Sequence, residues 1–223
     1  MPASPHIHVL ENHASLADEV ADFVVWAAEQ TLRHHAQFRI VLAGGSTPRS
    51  LYRTLSAPAW ASRLPWSRVR FFFGDERCVP PTHADSNYAM AKETLFDPLR
   101  IPDQQIARMR GEADPGEAAE AYERAVRQEF VGEPRGVPAF DLVLLGLGDD
   151  GHTASLFPGS PALDERARLV VAASAPVGVR QRITMTYSVF NQAKAVVFLV
   201  AGAPKAAMVR RILEEGGGDP PLP

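Results

Sequence analysis

One cysteine, Cys78, stands among 223 residues, so no internal disulfide can form, and a reducing compartment is expected. Long apolar runs are missing as well. None approaches about 18 residues, and "MPASPHIHVLENHA" at the start carries no apolar h-region, so a membrane helix and a secretory leader are not expected and a cytoplasmic location is. No basic block exists against the formal net charge of −3, which argues against a nucleic-acid partner. No G-K-[ST] occurs, so a Walker A loop is excluded. No two His, Cys or Asp residues stand at a recognised ligand spacing, and no metal site is expected. Internal repeats, low-complexity tracts and a clear linker are absent too. "EPRGVP" (133–138) is too short to divide the chain, so residues 1–223 are expected to form a single domain.

Present instead are apolar runs of strand length alternating with helix-period segments. This pattern predicts an α/β fold with a mostly parallel sheet flanked by helices on both faces. The strands expected are "IHVL" (7–10), "FRIVLA" (38–43), "VRFFFG" (69–74), "FDLVLLG" (140–146), "RLVVAA" (168–173), "RITMT" (182–186) and "AVVFLVAG" (195–202). A long helix is expected to start at Ser15, with Asp18 completing a capping box and Leu16, Val20, Phe23, Val24 and Ala27 on its inner face. Pro48 suits the first turn of a second helix. Further helices are expected over 86–96, over 116–130 with Ala119, Tyr122, Val126 and Phe130 inward, and from Lys205 to Leu213. "DERCVPPTHAD" reads as a loop, and "EEGGGDPPLP" as a turn or an open end.

"GLGDDG" (146–151) matches the G-x-G-x-x-G fingerprint of dinucleotide sites. It follows a strand, but a late one. Asp149 and Asp150 would repel a pyrophosphate, and no acid stands at the strand end about 20 residues on to hold a ribose. Nucleotide binding is therefore not expected. In a parallel sheet, ligands bind beyond the carboxyl ends of the strands. Four loops fall there: "GGSTP" (44–48), "GDER" (74–77), "GLGDDGH" (146–152) and "GAPK" (202–205).

Gly44, Gly45, Ser46 and Thr47 open a helix. Its unpaired N–H groups and positive dipole end suit a monophosphate, or the residues form a plain cap and turn. Lys205, at the start of the last helix, opposes that helix's dipole unless an anion binds there; otherwise it is a solvated lysine. Arg182 is a second candidate clamp or a strand-end surface charge. His152 follows two aspartates at a strand-to-helix turn and is a candidate general base, or a hydrogen-bonded cap. Asp75, Glu76 and Arg77 could orient a polar substrate or form a salt-bridged loop. Cys78 reads as a small buried hydrophobe.

Taken in order, "LAGGSTPRSLY", "FFFGDERCVPPTHADSNYAMAKETL", "DLVLLGLGDDGHTASLFPGS" and "RITMTYSVFNQAKAVVFLVAGAPKA" make the chain resemble the 6-phosphogluconolactonases over roughly residues 5–215. The resemblance implies a Rossmann-like parallel sheet without the nucleotide cofactor, a fold shared with glucosamine-6-phosphate deaminases. It implies hydrolysis of 6-phospho-D-glucono-1,5-lactone to 6-phosphogluconate in the pentose phosphate pathway, with no cofactor. It further implies that His152 is the general base and Asp150 its support. Asp75 and Arg77 lie near the sugar and reacting centre, and Gly44, Gly45, Ser46, Arg182 and Lys205 hold the 6-phosphate. A monomer or weak homodimer is expected. The deaminase alternative carries a glutamate in its "G-H-I-A-F-N-E"-like loop where this chain has Phe157. A sugar-phosphate-binding regulator would not need His152, Asp75 and Arg77. The resemblance also implies a further strand and helical residues past "PLP". The chain ends at Pro223, so a truncated C-terminus or omitted disordered residues are expected.

Overall fold

In the computed structural model, residues 5–132 and 136–214 are described. The expected turn at the end of the chain, beyond Glu214, and residues 133–135 of "EPRGVP" lie outside them. The element order is α1 (His13–Leu32), β1 (Phe38–Leu42), α2 (Ser46–Ser56), α3 (Pro58–Ala61), β2 (Val69–Phe73), β3 (Asp75–Arg77), α4 (Asn87–Ala91), α5 (Pro115–Glu129), β4 (Leu142–Gly146), β5 (Val170–Ser174), β6 (Gln181–Met185), α6 (Tyr187–Gln192), β7 (Val196–Leu199) and α7 (Ala206–Glu214).

Four strands form a parallel sheet in the order β2-β1-β4-β7. Because they are parallel, the loops after Leu42, Phe73, Gly146 and Leu199 share one end, as the sequence pattern requires. The chain winds outward from β1 to β2 on one side and from β4 to β7 on the other. The loops following β1 and β4 therefore flank the switch point where a crevice opens. The period-2 alternation of the strands feeds two cores. Ile40, Leu42, Phe71, Phe73, Leu142 and Leu144 pack toward α1, α2 and α4. Val41, Phe72, Val143 and Leu145 pack toward α5, α6 and the second sheet.

That second sheet departs from the expected alternation. β3, expected as loop, pairs antiparallel with β6, and β6 pairs antiparallel with β5. β3, β6 and β5 thus form a three-stranded antiparallel ribbon apart from the parallel sheet, and the six residues between β5 and β6 leave no room for a crossover helix. "IHVL" is not a strand. No described strand pairs with it, and Ile7 and Val9 are 59% and 91% exposed. The first helix starts earlier than expected. Asn12, rather than Ser15, caps it, accepting from the backbone N–H of Ala14 (2.9 Å) and Ser15 (3.0 Å). The 86–96 helix is α4 capped by Ser86, continued by a π-helical turn over Lys92–Phe96. Lys205 ends a 3-10 turn, Ala203–Lys205, that leads into α7. No helix among the described residues is long and apolar enough to cross a membrane.

Two buried tyrosines fix the strand ends from which the loops leave. Tyr52 Oη accepts from Ala43 N at 3.0 Å and donates to Ala43 O at 2.8 Å, tying α2 to the end of β1. Tyr122 Oη accepts from Phe73 N at 2.8 Å and donates to Phe73 O at 3.2 Å, tying α5 to the end of β2. Each side chain thereby satisfies backbone groups that the ladder no longer pairs.

Candidate active site

The loop after β1 turns into α2 through Gly45, whose φ of 106° is left-handed, and no side chain caps the helix. Ser46 and Thr47 are its first two residues, so their backbone N–H groups face outward without an intrahelical partner. Gly44 is required by close approach. A β-carbon there would lie 1.9 Å from Asn87 Oδ1.

Asn87 connects this loop to β3. Its Nδ2 donates to the carbonyl (2.9 Å) and to Oδ1 (3.1 Å) of Asp75. Asp75 is buried, and its other oxygen accepts from Ser155 Oγ at 2.6 Å. Glu76 points the other way. It is 2% exposed and accepts from the N–H groups of Arg77, Asn87 and Tyr88 and from Ser86 Oγ. Burial pushes its carboxyl above the usual range, and these backbone bonds only partly offset that. It is a staple between β3 and α4 rather than a surface salt bridge. Arg77 Nη1 donates to Asp85 O at 2.6 Å, while its Nε is buried and unpartnered among the described residues. Arg182 stands opposite Arg77 in the β3–β6 register and donates from Nε to Val179 O at 2.7 Å. Burial and then the charge of Arg77 lower its pKa. Two adjacent guanidinium groups form a field that an anion relieves.

The loop after β4 holds His152. Its Nδ1 lies 2.5 Å from Asp150 Oδ1, and its backbone N–H donates to the same oxygen at 3.1 Å. Burial alone would raise the Asp150 carboxyl, but the bonds to His152 outweigh it and hold it below the usual range. An ionised carboxylate only accepts, so in the neutral imidazole this contact places the proton on Nδ1 and the lone pair on Nε2. The Phe157 ring packs on the imidazole with centroids 4.5 Å apart. Gly148 makes room for the pair. A β-carbon there would lie 2.1 Å from His152 Nδ1 and 2.7 Å from Asp150 Oδ1. Lys205 Nζ reaches across from the loop after β7 to Asp149 Oδ1 at 2.6 Å. Cys78 is half-buried rather than fully buried, and burial pushes its thiol up to about 11.

A chain of contacts therefore joins nearly every residue singled out in the sequence. Gly44 meets Asp75 through Asn87, and Asp75 meets the His152 loop through Ser155. Arg77 meets Arg182 across the ribbon, and Lys205 meets the loop after β4 through Asp149. No contact singles out Thr47 beyond its place in the first turn of α2. Asn87, Ser155 and Gly148 were not foreseen.

A family described as glucosamine-6-phosphate isomerases/6-phosphogluconolactonase matches residues 11–223. A 6-phosphogluconolactonase of Synechocystis is 41% identical over 203 residues, covering 91% of this chain and 82% of the relative. A human 6-phosphogluconolactonase is 40% identical over 223 residues, covering 98% and 85%. The solved 6-phosphogluconolactonase of Trypanosoma cruzi superposes with a TM-score of 0.86 at 31% identity, covering 100% of this chain and 89% of the other. In sequence and in fold, the chain belongs to the glucosamine-6-phosphate isomerase/6-phosphogluconolactonase family.

Proposed function

We propose that this enzyme, of the 6-phosphogluconolactonase type, hydrolyses 6-phospho-D-glucono-1,5-lactone to 6-phosphogluconate with His152 as general base. The observation that carries the reading is the His152–Asp150 pair, in which the carboxylate engages Nδ1 and so assigns the base role to Nε2, on the loop that flanks the switch-point crevice. Nε2 takes a proton from water as the water oxygen bonds to C1 of the lactone. The tetrahedral intermediate then collapses with cleavage of the C1–ring-oxygen bond, and the imidazolium returns its proton to that oxygen. Asp75 and Arg77 orient the sugar and the reacting carbonyl.

The 6-phosphate is remote from C1, so clamping it supplies positioning. The N-terminus of α2 with Gly44, Gly45, Ser46 and Thr47, together with Arg182 and Lys205, forms that clamp. The phosphate takes the place of Asp149 as the partner of Lys205. The Asp149 side chain is 81% exposed, so the exchange costs little.

Phe157 weighs against deamination of an amino-sugar phosphate, because its ring packs at a tilt against His152 where the deaminase-like loop would place its glutamate. The decisive assay sets 6-phosphogluconolactone beside glucosamine 6-phosphate. Acid release from the first and no ammonia from the second is the expected outcome. Ammonia release, or a rate no faster than spontaneous opening of the lactone, overturns the proposal. His152→Ala should lower turnover by about 10²–10⁴-fold. A near-parental rate in that variant removes His152 from the base role.

A further inference from the structure

We propose that Ser155 is a positioning residue that locks the His152 loop onto Asp75, so that the base and the acid of the site are held as one unit. The inference rests on the roles proposed for His152 and Asp75, and goes beyond them. Ser155 lies three residues past His152 and is 1% exposed. Its hydroxyl donates to Asp75 Oδ2 at 2.6 Å. Its backbone N–H donates to Thr184 Oγ1 at 3.3 Å, and Thr184 is the register partner of Asp75 across the β3–β6 ribbon. One residue thus ties the loop after β4 to β3 and β6, the two strands that carry Asp75, Arg77 and Arg182.

The backbone supplies a second, independent observation. Ala154, between His152 and Ser155, has a φ of 49°, the left-handed region. That conformation costs an L-residue free energy and persists only where the surroundings over-determine it. Here the turn is closed on both sides. Thr153 bridges Leu156, Thr153 Oγ1 donates to Gly146 O at 3.0 Å, and Leu156 is fully buried. The Ser155 hydroxyl is the part of that closure that ends on a functional carboxylate. Without it, Ala154 can relax toward the right-handed region, and the segment leading back to His152 swings with it. A serine that merely satisfied a buried carboxylate would matter for stability alone.

The test compares Ser155→Ala with the parent on 6-phosphogluconolactone, alone and on an Asp75→Asn background. Val126→Ala, in the core under α5, serves as a stability control. Ser155→Ala is expected to lower kcat by about 10–100-fold, in line with a displacement of under 1 Å. KM should stay within about threefold, because the phosphate clamp sits on other segments. On the Asp75→Asn background the same change should cost less than about threefold more, since the hydroxyl acts through Asp75. A parental kcat, a full multiplicative loss on that background, or an equal kcat loss in Val126→Ala at matched Tm each overturns the proposal. If the alanine variant fails to fold, Ser155→Cys carries the same comparison with a weak donor. The His152 imidazole resonances, followed by NMR, give a readout independent of substrate. They should shift in Ser155→Ala, and unchanged resonances overturn the lock. A parent that does not open the lactone overturns the proposed reaction instead, and the resonances still decide the role of Ser155.

Discussion

Replacing Gly148 by alanine should disable the proposed base while leaving the fold in place. The added β-carbon would lie 2.1 Å from His152 Nδ1, 2.3 Å from Cε1 and 2.7 Å from Asp150 Oδ1. Atoms in contact sit about 3.5–4 Å apart, so the ring must retreat by roughly 1.5 Å. That retreat breaks the 2.5 Å contact between His152 and Asp150. A displacement of about 1 Å can cost about 10²-fold in turnover, so kcat should fall at least that far. Stability should respond differently. The backbone at residue 148 is not in the left-handed region, so alanine fits it. Such a change gains about 0.4–1 kcal/mol by restricting the unfolded chain. The side chains displaced are already 32% and 44% exposed and can move into solvent. The net change should stay within about 1 kcal/mol, or about 2–4 °C in Tm for a chain of this size. Gly146→Ala is the matched control, because a β-carbon there meets nothing within 4 Å. Initial rates corrected for spontaneous lactone opening, read beside thermal melts, decide the matter. A Gly148→Ala enzyme within about threefold of the parent kcat refutes the geometry. A Tm loss of about 10 °C would refute the separation of activity from stability.

Gly44→Ala should drive Asn87 off Asp75, because the new β-carbon would lie 1.9 Å from Asn87 Oδ1. Lower kcat and about 1–3 kcal/mol of lost stability are expected, and a fully active variant with a parental melt contradicts this. Arg182→Ala and Lys205→Ala should each raise KM for the phosphorylated lactone by about 10–100-fold, the worth of a hydrogen bond to a charged group. If both variants still discriminate phosphorylated from unphosphorylated lactone as the parent does, the clamp is misassigned. Glu76→Gln should lower stability at neutral pH by about 2–4 kcal/mol, because an amide NH2 then faces backbone donors that the carboxylate accepted. The folded Glu76 carboxyl is raised above its unfolded value, so the folded state holds that proton more tightly. The parent should therefore lose stability as pH rises from the usual carboxylate range through the raised value, and the glutamine variant should lack that slope. Melts across pH check both statements, and an unchanged slope contradicts the second.

The parallel sheet was legible because β1, β2 and β4 are buried on both faces. "IVL", "FFF" and "LVLL" are too apolar for anything but strands covered on both faces, and the loops that follow them share one end because the strands are parallel. The ribbon was less legible. A three-residue strand such as β3 carries no period, and its pairing with β6 is a long-range event. "IHVL" failed for the opposite reason. Its pattern suits a strand, but a strand also needs an unpaired neighbour, and no described one pairs with it. At the start of α1, Asn12 won over Ser15 because an Asx side chain reaches two successive N–H groups, so the helix begins before the capping box expected at Ser15.

The site shows the same division between chemistry and arrangement. His152, Asp75, Arg77, Arg182 and Lys205 can be picked out as candidates, because charged and titratable groups gathered beyond strand ends are where functional sites cluster. The residues that hold them have many. A buried serine, an asparagine at a helix start and a glycine in a loop are ordinary in any protein, and nothing local marks Ser155, Asn87 or Gly148. Their roles follow from separations of 80, 12 and 4 positions along the chain, from Ser155 to Asp75, Asn87 to Asp75 and Gly148 to His152. Only the fold closes these distances. This is also why the aspartates of "GLGDDG" could be seen to oppose a pyrophosphate but not to divide their work. Asp150 turns back to hold the imidazole, while Asp149 turns outward to hold Lys205. Neighbouring residues on a tight turn point in different directions, so one loop serves the proposed base with one carboxylate and the proposed phosphate site with the next.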